Sequence, residues 1–361
     1  MNRSIGHPVH ILSPGPIGQI TGGFIFLNRI AQGLRDRGEQ VMVHELRGHH
    51  PFADEETRLE ADGVISRIPD GAVVLVDGLA IPATAHGLWL DRHRLRVAAL
   101  VHHPLHTETG LDPVRAAALH RIEAGALAGM RRVLVPSRAT AEGVRALGVP
   151  QSRIAVTPPG TVKGQAAEPE TPPHLLCLAT LTPRKGQTTL VAALARLAHR
   201  PWTATLAGSL LRDADYAGRV RAAVDAHGLS HRIALPGEVT AEALESLWRR
   251  TALFVLPSHH EGYGMAAAEA LARGIPVIAG DSGAQGEVVP ADAGAVVPPG
   301  DADALAAALD RLLSDTAALA SARGAARAAG AALPDWPASL DRIRSELARI
   351  VAADDRIERI A

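Results

Sequence analysis

Short apolar runs rich in Val, Leu and Ile alternate with stretches of helical periodicity from one end of the chain to the other. In the first half the runs fall at 9–12, 41–46, 73–76, 97–101, 133–135 and 154–156. Runs this short, apolar at successive positions, predict parallel strands covered by helices on both faces. Between the first two, Phe24, Leu27, Ile30, Ala31 and Leu34 recur at helical spacing, and Gly38 marks the stop. The pattern breaks from Thr157 to Pro173, where Pro158, Pro159, Gly160, Gly164, Pro169, Pro172 and Pro173 flank a polar stretch without period. A second alternation follows, with runs at 175–179, 204–207, 233–235, 253–256, 276–278 and 295–297, and alanine-rich helices after Asp301.

The predicted fold is therefore α/β, with two Rossmann-like domains facing across a cleft. Residues 1–160 form the first domain, 161–173 a linker, 174–335 the second domain, and 336–361 a C-terminal helix able to cross back to the first. In open parallel sheets ligands bind beyond the carboxyl ends of the strands, so candidate chemistry is sought in the strand-to-helix turns.

Composition narrows the partners. The chain has 361 residues, of which 47% are hydrophobic and 21% charged, with a formal net charge of −1. Nothing here resembles the clustered basic surface that neutralises a phosphate backbone, which excludes nucleic acid as a partner. The lone Cys177 lies in an apolar run and implies a reducing, cytoplasmic location. No stretch approaches the ~18–20 apolar residues of a membrane span, and the first residues do not form a signal sequence, so membrane contact is expected to be peripheral at most.

The strongest local signal is Pro257-Ser258-His259-His260-Glu261-Gly262-Tyr263-Gly264-Met265, running on to Glu269 between a strand and a helix. Gly262 and Gly264 allow close backbone approach to a ligand, and the helix start offers free amides to phosphate. Glu261 in the loop suits sugar hydroxyls, and Glu269 on the helix suits a ribose. The alternative is a plain glycine turn with Glu269 paired to Arg273 at i, i+4. The second signal is Pro183-Arg184-Lys185-Gly186, two cations at another strand-to-helix turn. Of the 37 Lys and Arg only Lys163 and Lys185 are lysine, so a lysine here points to a need for a compact ammonium. A solvated charge pair at a helix start is the alternative.

Two weaker signals lie in the first half. Gly15-Pro-Ile-Gly18-Gln-Ile-Thr21-Gly22-Gly23 joins the first strand to the first helix without the G-x-G-x-x-G spacing, and a packing role is equally open. His102, with His103, ends a strand, where an imidazole can bond hydroxyls or move protons. The strings Asp213-Ala-Asp215 and Asp301-Ala-Asp303 open helical stretches, where Asp caps, and no metal ligand set is expected.

Together these residues resemble the family-4 retaining glycosyltransferases of GT-B architecture. Glu261 to Glu269 matches that family's E-x7-E element, and Pro183 to Gly186 its donor-phosphate turn. Gly22-Gly23, His102, VPS at 135–137, PPG at 158–160 and VPPGD at 297–301 extend the likeness along nearly the whole chain. The resemblance implies a glycosyl transfer with retention from a nucleoside-diphosphate sugar, without a further cofactor, to a glycan, lipid-linked or small-molecule acceptor. It also implies that Lys185 neutralises the diphosphate with the Gly22 and Gly23 amides. Glu261 and the Gly262–Met265 backbone, including Tyr263 and Gly264, would hold the transferred sugar, Glu269 the ribose, and His102 would contact the sugar. Two departures stand out. Ala179-Thr180 replaces the family's Gly-Arg, which leaves Arg184 as the candidate second cation, and Pro159-Gly160-Thr161-Val162 replaces its Asn-Gly-x-Asp. A nucleotide-sugar epimerase, a sugar phosphorylase or a non-catalytic nucleotide-sugar binder would share much of this pattern.

Overall fold

The computed structural model describes residues 4–358, with side chains to residue 352; the expected helix over 336–361 ends outside the described residues. Among them the chain forms two compact units, one of residues up to Gly160 together with those from Trp336, the other of Thr161–Asp335.

The first unit carries β1 (Val9–Ser13), α1 (Gly22–Arg35), β2 (Val41–Glu45), α2 (Glu55–Ile65), β3 (Val73–Asp77), α3 (Ile81–Leu90), β4 (Arg96–Leu100), α4 (Pro113–Ala128), β5 (Arg132–Val135), α5 (Arg138–Ala146) and β6 (Ile154–Val156). Its strands pair in the order β2-β1-β3-β4-β5-β6, all parallel. β1, β3 and β4 are buried at every position because helices cover both faces, whereas β2, on the edge, is only partly covered. The chain leaves β1 first to one side and then to the other, so the topological switch point lies between β1 and β3.

The second unit carries β7 (His174–Leu178), α6 (Gln187–Arg196), β8 (Thr203–Ala207), α7 (Ala214–Ala226), β9 (Ile233–Gly237), α8 (Ala241–Arg250), β10 (Thr251–Leu256), α9 (Met265–Ala272), β11 (Val277–Gly280), α10 (Gln285–Val288), β12 (Gly294–Val297), α11 (Ala302–Ser314) and α12 (Thr316–Ala332). Its parallel order is β12-β11-β10-β7-β8-β9, which puts the switch point between β7 and β10. Two cores sandwich this sheet, one around Leu190, Leu194, Trp202 and Leu309, the other around Trp248, Phe254, Leu271 and Ile275.

The last helix, α13 (Trp336–Glu358), packs on the first unit. Leu340 fills the space above Gly33, where an added Cβ would lie 2.2 Å from Leu340 Cδ1, and the buried Glu39 and Arg344 pair at 2.6 Å. Residues 161–173 contain no helix or strand, yet they are not a loose tether. Ala167 N donates to Arg273 O, Glu168 N to Arg249 O, and the Arg273 and Arg323 guanidinium groups donate to Val162 O and Ala167 O, which straps the segment to the second unit. Asp213 and Asp301 cap α7 and α11 by accepting from Tyr216 N and from the amides of Asp303 and Ala304. No helix among the described residues is long and apolar enough to cross a membrane.

Candidate functional site

The two strands flanking the second switch point deliver both strong motifs to one place. After β7 the chain makes a 3-10 turn at Pro183–Lys185 and enters α6 through Gly186, at φ 67°. A Cβ on Gly186 would lie 2.2 Å from the carbonyl oxygen of Pro257, so only glycine lets this turn close against the one after β10. After β10 the Ser258–Gly264 loop leads into α9 through Gly264, at φ 90°. Neither Gly186 nor Gly264 has a side chain to cap with, and although Thr188 N of α6 donates to the Tyr216 hydroxyl, Gln187 N and the first amides of α9 stay at the sheet's carboxyl edge.

Lys185 and Glu261, 76 positions apart in sequence, meet there: Lys185 Nζ donates to Glu261 Oε1 at 2.5 Å. The same oxygen accepts from Ser258 Oγ at 2.6 Å. Arg184 is tied to this loop twice, with Nη1 donating to His260 O and its carbonyl accepting from His259 N. The side chains of Lys185 and Glu261 are only 17% and 7% exposed, so this is no solvated charge pair. Burial holds the Lys185 ammonium below its ordinary value against the pull of Glu261. Burial acts to raise the Glu261 carboxyl, but Lys185 and then Arg184 outweigh it, and the group lies below its ordinary value. Burial also pushes the nearby Cys177 thiol up to about 12 and the Tyr263 hydroxyl up to about 12.

Glu269 lies half-buried on α9, one turn beyond Met265. The i, i+4 alternative does not describe Arg273, whose buried guanidinium pairs with Glu245 at 2.5 Å and bonds the backbone oxygens of Val162 and Glu269. A residue that the motifs do not announce is Gln285. Its fully buried carboxamide sits where a Cβ on Gly264 would fall, 2.2 Å from Nε2, and neither of its polar atoms is hydrogen-bonded within the chain.

The first unit assembles Gly22, Gly23 and His102 at its own switch point. Thr21 precedes α1 without a side-chain cap, and Gly23 lies under the His102 ring, where a Cβ would stand 3.3 Å from Nε2. His102 Nε2 lies 2.8 Å from Asp77 Oδ2, and Asp77, 2% exposed at the end of β3, accepts from Leu79 N with its other oxygen. Asp77 is thus the partner that orients the imidazole. The signal for it is a carboxylate closing an apolar strand, Val73-Val74-Leu75-Val76-Asp77. Past His102, the buried Glu123 carboxylate accepts from Leu105 N, and burial raises that carboxyl to about 7. Among the described residues no group of three or more His, Cys, Asp or Glu could hold a metal ion.

The chain has relatives in sequence and in fold. Residues 161–329 match the family model described as glycosyl transferases group 1, and the relatives found support kinship with a glycosyltransferase superfamily. A lipopolysaccharide core biosynthesis mannosyltransferase, LpcC of Rhizobium leguminosarum bv. viciae, is 36% identical over 156 residues, covering 42% of this chain and 44% of the relative. A GDP-mannose-dependent alpha-(1-6)-phosphatidylinositol monomannoside mannosyltransferase of Mycobacterium tuberculosis is 32% identical over 194 residues, 51% and 48% of the two chains. The match thus spans a little under half the length of these curated relatives. Over 96% of the chain the fold matches sucrose-phosphate synthase from Thermosynechococcus elongatus, with a TM-score of 0.81, 22% identity and 100% coverage of that chain. Anabaena HepE in complex with UDP and glucose matches over 94% of this chain and 98% of its own, with a TM-score of 0.77 and 20% identity. The two parallel six-stranded sheets with their helices are those of GT-B glycosyltransferases.

Proposed function

We propose that the protein transfers a glycosyl group from a nucleoside-diphosphate sugar to an acceptor hydroxyl with retention of anomeric configuration. The observation that carries this reading is the Lys185–Glu261 pair at the second switch point, flanked by two helix starts that open on left-handed glycines. Cations and free amides suit a diphosphate, and a carboxylate beside them suits sugar hydroxyls. Lys185, Arg184 and the amides opening α6 and α9 stabilise charge as the bond between C1 and the phosphate oxygen breaks. A new bond forms from C1 to the acceptor oxygen on the same face, and the acceptor proton passes to the departing phosphate. Glu261 orients the sugar and is no nucleophile, Gly262, Tyr263, Gly264 and Met265 line its place, and Glu269 takes the ribose. The first unit's candidates keep the roles that the resemblance implies, sugar contact for His102 and phosphate contact for Gly22 and Gly23. No metal or cofactor enters the scheme, and the reducing cytoplasm suits the buried thiol of Cys177.

GDP-mannose is the first donor to test, because the bacterial relatives named above are mannosyltransferases. Ligand that binds only the native state raises its melting temperature, so a thermal-shift series with GDP-mannose, UDP-glucose and ADP-glucose ranks the donors. Turnover of the best donor against a glycan and lipid-linked acceptor panel then tests transfer. Near-normal turnover by Lys185→Ala or Glu261→Ala would sink the reading. Donor consumed with no acceptor present, giving an isomeric sugar nucleotide, would move it to an epimerase.

A further inference from the structure

The first unit holds a pocket of about 520 Å³ far from His102. His102 follows the carboxyl end of β4, whereas this pocket opens at the opposite, amino-terminal edge of the sheet, where α4 ends and Arg132 begins β5. Five arginines line it, Arg92, Arg131, Arg132, Arg153 and Arg349, around the ring of Trp89, and no Asp or Glu does. Glu346 at its border pairs with Arg132 and with Arg349, each at 2.6 Å, and so offsets one charge.

Four of these guanidinium groups, those of Arg92, Arg132, Arg153 and Arg349, are bonded sparingly for their capacity of five N–H donors each. Arg153 donates one N–H to Ala128 O, Arg92 one to Trp89 O while its guanidinium lies 4.3 Å above that ring, and Arg132, which donates to Ser152 O and pairs with Glu346, keeps its Nε buried without a hydrogen-bonding partner. Arg94, on the same unit, shows what a structural arginine looks like here, with two carboxylates and two carbonyl oxygens as partners. Like charges gathered in a concave site of ligand size, with donors unspent, favour an oxyanion with several acceptor oxygens.

We propose that this pocket is a second binding site, specific for phosphate-class oxyanions, whether free in solution or carried on a lipid headgroup. The test uses the full chain carrying Lys185→Met together with Glu261→Gln, which removes the Lys185 ammonium of the site described above without stranding its partner charge, and reads Trp89 emission. Titration with inorganic pyrophosphate, and with phosphatidylcholine vesicles with or without phosphatidylglycerol, separates the two sources. A saturable change is expected with pyrophosphate, with anionic vesicles or with both, absent in Trp89→Phe. Arg153→Glu and Arg349→Glu should each weaken it about tenfold, the loss expected for one charge-assisted contact. Arg349 is 68% exposed, so its replacement keeps the test valid even if the Arg153 variant is unstable. No change in Trp89 emission with either probe, or unaltered binding by folded arginine variants, would overturn the proposal.

Discussion

The two units solve the same topological problem with different tolerances. Each places its candidate residues at the switch point of a six-stranded parallel sheet. In the second unit the turns are interlocked: Gly186 abuts the backbone of Pro257, Gly283 abuts that of Glu261, and a buried ion pair joins the two loops. In the first unit the neighbour of Gly23 is a side chain, and the imidazole hangs on a single carboxylate. Backbone against backbone leaves nothing to relax, whereas a side chain can turn aside. The second unit should therefore lose its structure when its site is altered, and the first should lose only function.

The sharpest way to break that contrast is to cut the ion pair. Lys185→Ala or Glu261→Ala should lower kcat/KM about a thousandfold or more and, by stranding the partner charge, cost about 3–5 kcal/mol of stability. A Lys185→Met, Glu261→Gln double variant, measured by urea unfolding, should be less destabilised than the sum of the single changes. Strict additivity would show that the pair is not coupled. Next in size, Gly186→Ala should cost about 3 kcal/mol through its left-handed backbone and the collision with Pro257, while Gly23→Ala should leave the urea midpoint nearly unchanged and lower kcat. Equal stability losses in the two would erase the distinction drawn above.

Glu123 offers a pH-resolved test within the first unit. Its folded-state value is raised to about 7 by burial, so the stability it contributes is complete below the ordinary carboxyl range and is lost as pH rises through 7. Between pH 5 and pH 8 the parent should lose about 2 kcal/mol that Glu123→Gln retains, with urea midpoints as the measure. Parallel pH profiles for the two would remove the assignment. The smallest effect is expected at Asp77, where Asp77→Asn should lower kcat about tenfold with little change in donor affinity. It should also shift the His102 imidazole nitrogen signals toward the other tautomer, which a purely structural role would not do.

How far the sequence announced these features follows from what each one rests on. All twelve strands among the described residues stand within a residue or two of the apolar runs, most clearly the inner ones, because a strand buried on both faces needs nearly every position to be apolar, whereas the edge strands β2 and β9 are only partly buried. Strand order is invisible in such runs, since any buried strand can accept any parallel neighbour. Lys185 and the Glu261 loop stood out because glycine, proline and charge cluster where a strand meets a helix. Asp77 did not, because one carboxylate at a strand end looks like any other until His102 is placed beside it. Gln285 has no local signature at all, and its isolation appears only when Gly264 is packed against it.

The contact between Lys185 and Glu261 also sets terms for whatever enters. With the ammonium already matched by a carboxylate, the pair adds little net attraction for a passing anion. A bare phosphate that drew the lysine away would leave the buried Glu261 carboxylate with the Ser258 hydroxyl alone as its hydrogen-bond donor among the described residues. A molecule bringing hydroxyl donors as well as negative oxygens would satisfy both groups together, which biases the pair against simple anions.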